Sequence, residues 1–346
     1  MGKKTWLAAV AATLAALTLA VATSAAPDAG ATGYQILVDQ AGHGQFTTVQ
    51  AAIDSLPAQN HVPVTIVVDP GRYHEVVSVP AGKSHITLAG ATGNPDDVTL
   101  TYENAASTPA PGGGTHGTEG SASVTIAADD FTATGITFEN AAGPTAGQAV
   151  AVRTVADRIA FYRCRFLGHQ DTLYLDATSK QDTDRVYLRD SEIAGSVDFI
   201  FGPATTVFEH DTIRSVGTGG YVTAASTQLT HPHGFLFTGS SFVSDSGPHT
   251  FYLGRPWHHL GDLLAVAQVT IRDSTIGAHI IDRPWTDMAG FSWAAARYYE
   301  YHNSGPGASV SLFRPQLSDV EAAHSTPADY LSSAEKWMPW TYPAGR

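Results

Sequence analysis

The chain of 346 residues contains only one cysteine, Cys164, and three methionines. A single cysteine excludes an internal disulfide, so burial and backbone hydrogen bonds must stabilise the fold. Cys164 lies between two arginines in a strand-like segment, and we interpret it as a small packing residue rather than a reactive thiol. The formal net charge is −13 and basic clusters are absent, which argues against nucleic acids and anionic membranes as partners.

Long apolar runs are confined to the N-terminus. Lys3 and Lys4 precede an apolar segment over residues 6–21, and small residues occupy 22–26. This pattern predicts a signal peptide over residues 1–26 and secretion to the extracellular space, with a retained N-terminal anchor as the alternative. No later segment reaches about 18 apolar residues, so no membrane span is predicted. The rest of the chain lacks a long linker, which predicts one domain over residues 33–342, and we expect a monomer.

A short pattern recurs along the chain: an apolar residue, any residue, an apolar residue, four of any kind, and a third apolar residue. Its copies start at residues 131, 159, 186, 206, 235 and 269. A second strand-like segment follows each copy, at 149–153, 172–175, 197–201, 221–225, 250–254 and 278–281. Coils with at least two short strands each predict an all-β solenoid, a right-handed parallel β-helix. A β-sandwich is the alternative, disfavoured because Asn-Gly and Asp-Gly hairpin turns are scarce.

The open ends of a solenoid need covering. Residues 46–56 carry apolar residues at helical spacing and stop before Pro57, which predicts a short N-terminal capping helix. Residues 318–324 predict another helix near the opposite end, with Ser318 as its N-cap.

Five polar residues lie at or next to the second strand of successive coils: Gln148, Gln170, Asp171, Asp198 and Arg255. Stacking of the coils would bring them together on one face. Each has a structural alternative, namely an amide ladder for the glutamines, a turn cap for Asp171 and a salt bridge for Asp198 with Arg255. Two carboxylates, an orienting arginine and neutral amide donors together favour hydrolysis through a carboxylate nucleophile.

Aromatic residues near these positions are candidates for stacking on sugar rings, although each could equally belong to the core. They are Tyr174, Phe199, Tyr252, Trp257 and Trp285. Trp257 follows a Gly-Arg-Pro sequence and is the least core-like of the set.

Several strings of this sequence resemble the signature blocks of pectin methylesterases. They are FENAAG (138–143), QAVAVR (148–153), CRFLGHQDTLY (164–174), GSVDFIFG (195–202) and YLGRPW (252–257). Residues 46–57 and 298–308 are similar too, and the resemblance extends from about Val38 to Trp340. The family implies a β-helix that hydrolyses methyl esters of homogalacturonan, the partner expected here.

The resemblance also implies a role for each polar residue. Asp198 matches the nucleophile and Asp171 the general acid that becomes the base. Gln148 and Gln170 match the amides that hold the oxyanion, and Arg255 matches the arginine that orients the nucleophile. This scheme requires a raised pKa at Asp171 and a low pKa at Asp198.

The same resemblance places substrate contacts. Trp257 matches a sugar-stacking tryptophan, Thr118 a substrate-contacting threonine and Trp285 a second subsite tryptophan in a less typical block. Glu119-Gly120 departs from the bulkier, often basic pair usual after that threonine.

No metal or organic cofactor is expected, since the His231/His233 and His258/His259 pairs lack carboxylate or cysteine company at metal-ligand spacing. The competing hypotheses are a calcium-dependent lyase, a serine esterase, a thioesterase relative and a non-catalytic glycan-binding solenoid. A Gly-x-Ser-x-Gly motif is absent from the sequence, which argues against the serine esterase.

Overall fold

The computed structural model describes residues 33–332 and 336–341. The predicted signal peptide lies outside these residues. Almost all strands run parallel to a neighbour one coil away and form three parallel sheets. The predicted parallel β-helix is therefore confirmed. No helix in the described part of the chain is long and apolar enough to cross a membrane.

Sheet 1 contains the strands predicted from the first two positions of the repeat. Its ten strands are, in spatial order, β1 (Tyr34–Val38), β2 (Val64–Val68), β5 (Ile86–Gly90), β8 (Thr132–Thr134), β11 (Ile159–Tyr162), β14 (Arg185–Arg189), β17 (Thr205–Glu209), β20 (Phe235–Thr238), β23 (Gln268–Arg272) and β25 (Arg297–Tyr301).

Sheet 2 contains the second strand-like segments, together with two earlier strands. Its strands are β4 (Val77–Val79), β7 (Val124–Ile126), β10 (Val152–Thr154), β13 (Leu173–Leu175), β16 (Val197–Gly202), β19 (Gly220–Ala225) and β22 (Phe251–Gly254). The predicted strand at 278–281 is wrong, because that segment makes only an isolated bridge between Ile280 and Phe251.

The third apolar position of the repeat belongs to a strand of its own in sheet 3. The strands are β3 (Gly71–His74), β6 (Val98–Tyr102), β9 (Thr137–Asn140), β12 (Arg165–Leu167), β15 (Glu192–Gly195), β18 (Thr212–Ser215), β21 (Ser241–Ser244) and β24 (Thr275–Ile276). Complete coils thus have three strands, and phenylalanines from successive coils stack in the interior. Phe208 and Phe237 lie 4.3 Å apart and Phe138 and Phe166 lie 5.5 Å apart, centroid to centroid.

From β8 onwards, sharp turns join sheet 1 to sheet 3, and each has one residue with positive φ, such as Arg163, Asp190 or His210. In five successive turns, the next residue accepts a hydrogen bond through its side chain from the equivalent backbone N–H of the preceding coil. The acceptors Ser191, Asp211, Ser240, Ser274 and Asn303 do so at 2.7–3.2 Å. We call this row, which begins at Cys164, the turn ladder. Burial raises the pKa of the Cys164 thiol to about 12, as expected for a packing residue.

Short helices flank the solenoid. Helix α1 (Val49–Asp54) has Thr48 as its N-cap and buries Val49, Ala52 and Ile53 in the main core, where a cap was predicted. Helix α2 (Gly117–Gly120) lies in the loop before β7. Helix α3 (Asp319–Ala323) begins with the predicted N-cap Ser318. Helix α4 (Pro327–Leu331) packs Tyr330 and Leu331 on the outer face of sheet 1.

Candidate active site

The five polar residues predicted to cluster all line one cavity on the sheet 2 side of the solenoid. Gln148 and Gln170 occupy equivalent places on neighbouring coils and form a parallel bridge, in which the Ala149 N–H donates to the Gln170 carbonyl at 3.1 Å. Asp171 directly follows Gln170, Asp198 lies in the next strand, and Arg255 follows β22 two coils further. The stacking of coils is therefore what assembles the site.

Asp198 reaches the cavity because strand β16 contains a bulge. Val197 pairs with Tyr221 and Ile200 with Thr223, so β16 has one residue more than β19 in this interval. Asp198 has a φ of 51°, a left-handed conformation that non-glycine residues seldom adopt. The extra residue lets the side chains of Phe199 and Ile200 both enter the core, and leaves the carboxylate outside it.

A glycine permits this arrangement. A Cβ atom on Gly195, at the end of β15, would lie 2.2 Å from the Cβ of Phe199. Any larger residue there would displace Phe199 and with it the bulge. Asp171 also has a positive φ, 66°, so both carboxylates lie on backbone held in a conformation that costs free energy.

Arg255 binds Asp198 through two parallel hydrogen bonds. Its Nε donates to Oδ1 at 2.8 Å and its Nη2 to Oδ2 at 2.6 Å. The guanidinium lies over the Tyr221 ring, 3.8 Å from the centroid, and Tyr221 stacks on Tyr252. This bidentate geometry fixes the plane of the carboxylate and favours its charged form.

The two carboxylates differ in their surroundings. Burial raises the pKa of Asp171 to about 8, the charge of Asp198 adds to the rise, and the charge of Arg255 lowers it. Burial also raises the pKa of Asp198, but hydrogen bonds from Arg255 and its charge oppose that rise. The raised pKa expected at Asp171 is present. The prediction of a low pKa at Asp198 is wrong. It considered how Arg255 lowers the pKa of this carboxyl group but not how burial raises it.

The order of ionisation is nevertheless the expected one. Arg255 donates both its hydrogen bonds to Asp198, so the first proton to leave the pair leaves Asp198. Asp171 then keeps its proton at neutral pH. The site can thus present a nucleophilic carboxylate next to a neutral carboxylic acid.

The cavity has a volume of 520 Å³ and an aromatic wall. Tyr174 and Phe201 stack at 4.3 Å, and Trp257 contacts both edge-on. His259 stacks on the Trp257 ring, at 4.6 Å. Thr118, in helix α2, lines the cavity as well. A cavity with polar groups on one side and aromatic faces on another suits a carbohydrate chain.

Three predicted substrate contacts do not line this cavity. Phe199 is fully buried in the core, and Trp285 is 3% exposed and stacks on Tyr298 at 4.1 Å. Tyr252 is half-buried and packs on Tyr221, behind Arg255. We therefore correct their assignment: Phe199 and Trp285 are core residues, and Tyr252 supports the aromatic platform under the arginine.

Other lining residues were not singled out as site residues from the sequence, namely His116, Gly117, Phe201, Ala224, His259 and Met288. Alternation along a regular strand would turn Ile200 outward and Phe201 inward. The bulge at Asp198 instead turns Ile200 inward and Phe201 outward, and no local feature of the sequence predicts the bulge. His116, His259 and Met288 lie in loops from three different coils, which only the folded chain brings together.

An ion-pair network borders the cavity at the position where the sequence departs from the family. Arg153 donates to Asp176 at 2.9 and 2.6 Å and lies 3.0 Å from Glu119. Its guanidinium is 5.6 Å from the Tyr174 centroid. Arg153 thus packs against the Tyr174 ring, and the Glu119 carboxylate remains partly exposed at the rim of the cavity. Within the described residues, no group of three His, Cys, Asp or Glu side chains is arranged to hold a metal ion.

Comparisons with known proteins show the family to which the chain belongs. A family model described as Pectinesterase matches residues 35–333. The chain is 38% identical to pectinesterase 31 of Arabidopsis thaliana, over 90% of this chain and 96% of that protein. It is 34% identical to a pectinesterase of Ralstonia solanacearum, over 79% of each.

Solved structures of similar proteins have the same fold. Pectin methylesterase PemA from Erwinia chrysanthemi superposes with a TM-score of 0.81 at 30% identity, covering 89% of this chain and 99% of that one. Pectin methylesterase from carrot gives 0.74 at 29% identity, covering 89% and 94%. A pectin methylesterase in complex with a hexasaccharide gives 0.80 at 29% identity, covering 89% and 99%.

Proposed function

The chain belongs to the pectinesterase family and is a carboxylic ester hydrolase, and from this premise we propose that it hydrolyses the methyl esters of homogalacturonan with Asp198 as nucleophile. The products are pectate and methanol. The observation that carries the proposal is the pairing of an arginine-bound carboxylate with a second, neutral carboxyl group in one cavity.

Asp198 attacks the ester carbonyl carbon. The two hydrogen bonds from Arg255 orient its carboxylate and keep it ionised, while the bulge in β16 turns it towards the cavity. Attack forms a tetrahedral intermediate, which collapses to an aspartyl anhydride and releases methanol.

Asp171 supplies and removes the protons. With its pKa raised to about 8, it is protonated at neutral pH and can give its proton to the departing methoxide oxygen. It then takes a proton from water, which hydrolyses the anhydride and restores Asp198. The raised pKa of Asp171 arises from burial and from the negative charge of Asp198, so the acid depends on its ionised neighbour.

Gln148 and Gln170 stabilise the oxyanion. They lie on neighbouring coils and line the same cavity as the two carboxyl groups. Amide N–H groups stabilise a developing negative charge without adding a cation that would lower the pKa of Asp171.

The aromatic wall positions the polysaccharide. Trp257 is half-buried beside Tyr174 and Phe201, and its exposed face can stack on a sugar ring. Thr118, which also lines the cavity, contributes a hydroxyl. The related pectin methylesterase bound to a hexasaccharide supports an extended oligosaccharide as the ligand.

We further propose that the protein acts outside the cell, as one domain over residues 33–342 after removal of residues 1–26. The signal-like N-terminus supports this location, and so does a polymeric substrate of cell walls.

The direct test is methanol release from highly methylated pectin by the purified protein, with and without a chelator. We expect methanol release that the chelator leaves unchanged and that the Asp198→Ala variant lacks. Chelator-sensitive formation of unsaturated products without methanol would instead indicate a calcium-dependent lyase. Binding of pectin without any product would indicate a glycan-binding solenoid.

A further inference from the structure

The string FENAAG (138–143) has no part in the proposed chemistry, yet its asparagine contacts three segments that border the active-site cavity. Asn140 is the last residue of β9 and is 3% exposed. Its amide nitrogen lies 2.9 Å from the carbonyl oxygen of Asn104, 3.1 Å from that of Ser121 and 3.0 Å from that of Val150. Three parts of the chain thus converge on one buried side chain.

These contacts fix the orientation of the amide. A carbonyl oxygen can only accept a hydrogen bond, so the nitrogen of Asn140 and not its oxygen must face the three carbonyls. Its two N–H groups then serve three acceptors, and one N–H is shared. The Oδ1 atom accepts from the Ala142 N–H at 3.0 Å. An amide meets both demands, whereas a carboxylate of the same shape has no N–H group to donate.

The Val150 contact fixes the backbone beside Gln148. Strand β10 pairs with β7 only from Val152 onwards. Gln148 precedes this strand and is exposed, so packing in the core does not hold it in place. The isolated bridge to Gln170 holds it from the next coil, and Asn140 holds the nearby Val150 carbonyl from the β9 strand of its own coil.

The Asn104 contact acts on the same backbone through a loop. Asn104 lies between β6 and α2, and the Ala106 N–H of this loop donates to the Gln148 carbonyl at 2.8 Å. The Gly117 N–H, at the start of α2, donates to the Ala106 carbonyl at 3.0 Å. Asn140 thus holds the loop that holds the Gln148 peptide group.

The Ser121 contact extends the network to Thr118. Ser121 is the C-cap of α2, and its Oγ donates to the Thr118 carbonyl at 2.6 Å and accepts from the Val150 N–H at 3.1 Å. One serine therefore connects the helix that carries Thr118 to the residue whose carbonyl Asn140 binds. Because Ser121 and Asn140 are both buried, water does not compete for these bonds.

We propose that Asn140 is a positioning residue for the reaction. Its amide holds the backbone of Gln148 so that the side-chain amide of Gln148 meets the oxyanion formed when Asp198 attacks the ester. Through Ser121 it also holds Thr118 at the same cavity. The inference rests on the proposed function, and it gives the FENAAG string the task of placing one oxyanion donor.

Asn140→Asp is the sharpest test. It keeps the shape of the side chain and the acceptor for Ala142, but it replaces the amide nitrogen with an oxygen that faces three carbonyl oxygens. We expect kcat for methanol release from methylated pectin to fall about 30-fold and KM to change less than about threefold, because Gln148 acts on the transition state more than on bound substrate. An asparagine with a structural role only would lower the melting temperature and leave the kinetics of the folded enzyme unchanged.

A double-mutant cycle with Gln148→Ala shows whether Asn140 acts through Gln148. Gln148→Ala alone should lower kcat about 10²-fold, the cost of one oxyanion donor. In that background there is no amide left to position, so Asn140→Asp should lower kcat by less than about threefold instead of about 30-fold. Equal effects of Asn140→Asp in the two backgrounds would overturn the proposal.

The matched control is Asn60→Asp. Asn60 is 2% exposed, and its amide nitrogen donates to the carbonyl oxygens of Val62 at 2.8 Å and Ser84 at 2.6 Å. It does not line the active-site cavity. Asn60→Asp should lower the melting temperature, as Asn140→Asp does, and keep the kcat and KM of wild type. Equal kinetic losses in both variants would show that the position of Asn140 has no special role.

Ser121→Ala decides the question if Asn140→Asp does not fold. It removes only the two hydrogen bonds of the serine hydroxyl, and kcat should fall about fivefold in wild type but not in the Gln148→Ala background. A wild-type kcat for Ser121→Ala would then overturn the network.

The two proposals fail in different ways. If wild type released no methanol from methylated pectin, the proposed function itself would fail. If wild type were active and Gln148→Ala impaired, but Asn140→Asp had the kcat of wild type, only the positioning role of Asn140 would fail.

Discussion

Two buried aspartates of the same stretch of chain, Asp198 in sheet 2 and Asp211 in the turn ladder, have opposite surroundings. Asp198 is 6% exposed and faces a cavity and an arginine. Asp211 is 1% exposed, accepts the Ser191 N–H at 2.7 Å through Oδ1, and has no partner for Oδ2 among the described residues. Burial raises the pKa of Asp211 well above its usual range. Burial without a charged partner therefore keeps Asp211 neutral and structural. The arginine bound to Asp198 favours the charged form, which can act as a nucleophile.

The comparison explains how one solenoid can carry both stability and catalysis. The turn ladder places a small side chain at the same position of successive coils, and each of its five polar members accepts from a backbone N–H. Sheet 2 breaks its own repeat at Asp198, with a bulge and a positive φ. Strain of this kind persists only where the surrounding structure enforces it.

The largest effect should come from removing the nucleophile. We expect Asp198→Ala to lower kcat for methanol release by about 10⁴-fold or more, because no other group can form the anhydride. The variant should remain folded, because burial of the charged Asp198 side chain costs free energy in wild type and its removal ends that cost. Methanol kinetics and a melting curve provide the measurement, and near-native activity would refute the assignment of Asp198.

Asp171→Asn tests the neutral partner. This variant keeps shape and hydrogen bonding but cannot transfer a proton, so turnover of methyl esters should fall by about 10²–10⁴-fold. An activated ester needs less help from an acid, so its first step should be partly spared and appear as a burst followed by stalled turnover. Equal, near-native rates on both kinds of ester would show that Asp171 has no acid–base role.

The pH profile examines the same residue without mutation. Asp171 must be protonated to release methanol, and its pKa is raised to about 8. We therefore expect kcat/KM of wild type to decline as pH increases through about 8. A profile that is flat up to much higher pH would contradict the requirement for a protonated Asp171.

Trp257 and Trp285 form a matched pair for separating substrate binding from packing. Trp257→Ala should lower kcat/KM on pectin about tenfold with little change in melting temperature, because the ring faces the cavity. Trp285→Ala should reduce the free energy of unfolding by about 3 kcal/mol, because its ring is buried in the core. The reverse pattern, a destabilised Trp257 variant with normal kinetics, would show that the cavity wall is structural only.

Asp211→Asn should have the smallest effect on activity and the clearest effect on stability. The amide keeps the oxygen that accepts the Ser191 N–H, and it removes the cost of keeping a proton on the buried carboxyl. We expect a gain of about 2 kcal/mol in the free energy of unfolding at neutral pH, with unchanged kcat/KM.

The size of this effect depends on pH. In the folded state the pKa of Asp211 is raised. The contribution of this group to the stability of wild type is therefore fully present below the unfolded pKa of about 3.9, and it is lost as pH increases above that value. The advantage of Asp211→Asn should therefore disappear below about pH 4. A variant that is less stable than wild type at neutral pH would show that Asp211 is charged and paired.

Much of the fold was predictable from the sequence alone. The repeat starting at residue 131 predicts stacked parallel strands, since equivalent positions on successive coils lie one strand spacing apart. The same stacking predicts that Gln148, Gln170, Asp171, Asp198 and Arg255 meet. The third strand of each coil was missed, because one apolar residue such as Phe138 cannot be told from a turn contact by periodicity.

Properties that depend on contacts between distant coils were decided only by the tertiary structure. The bulge at Asp198 reverses the directions that regular strand alternation would give to Ile200 and Phe201, since it comes from pairing with β19 and not from local propensity. The burial of Trp285 and the raised pKa at Asp198 arise from desolvation by residues far away in the chain. The amino-acid sequence by itself determined which groups the coils bring together. Packing decided which of them face the cavity and which carry a proton. The reason is that the exposure of a side chain and the pKa of a buried group depend on neighbours that only the folded chain supplies.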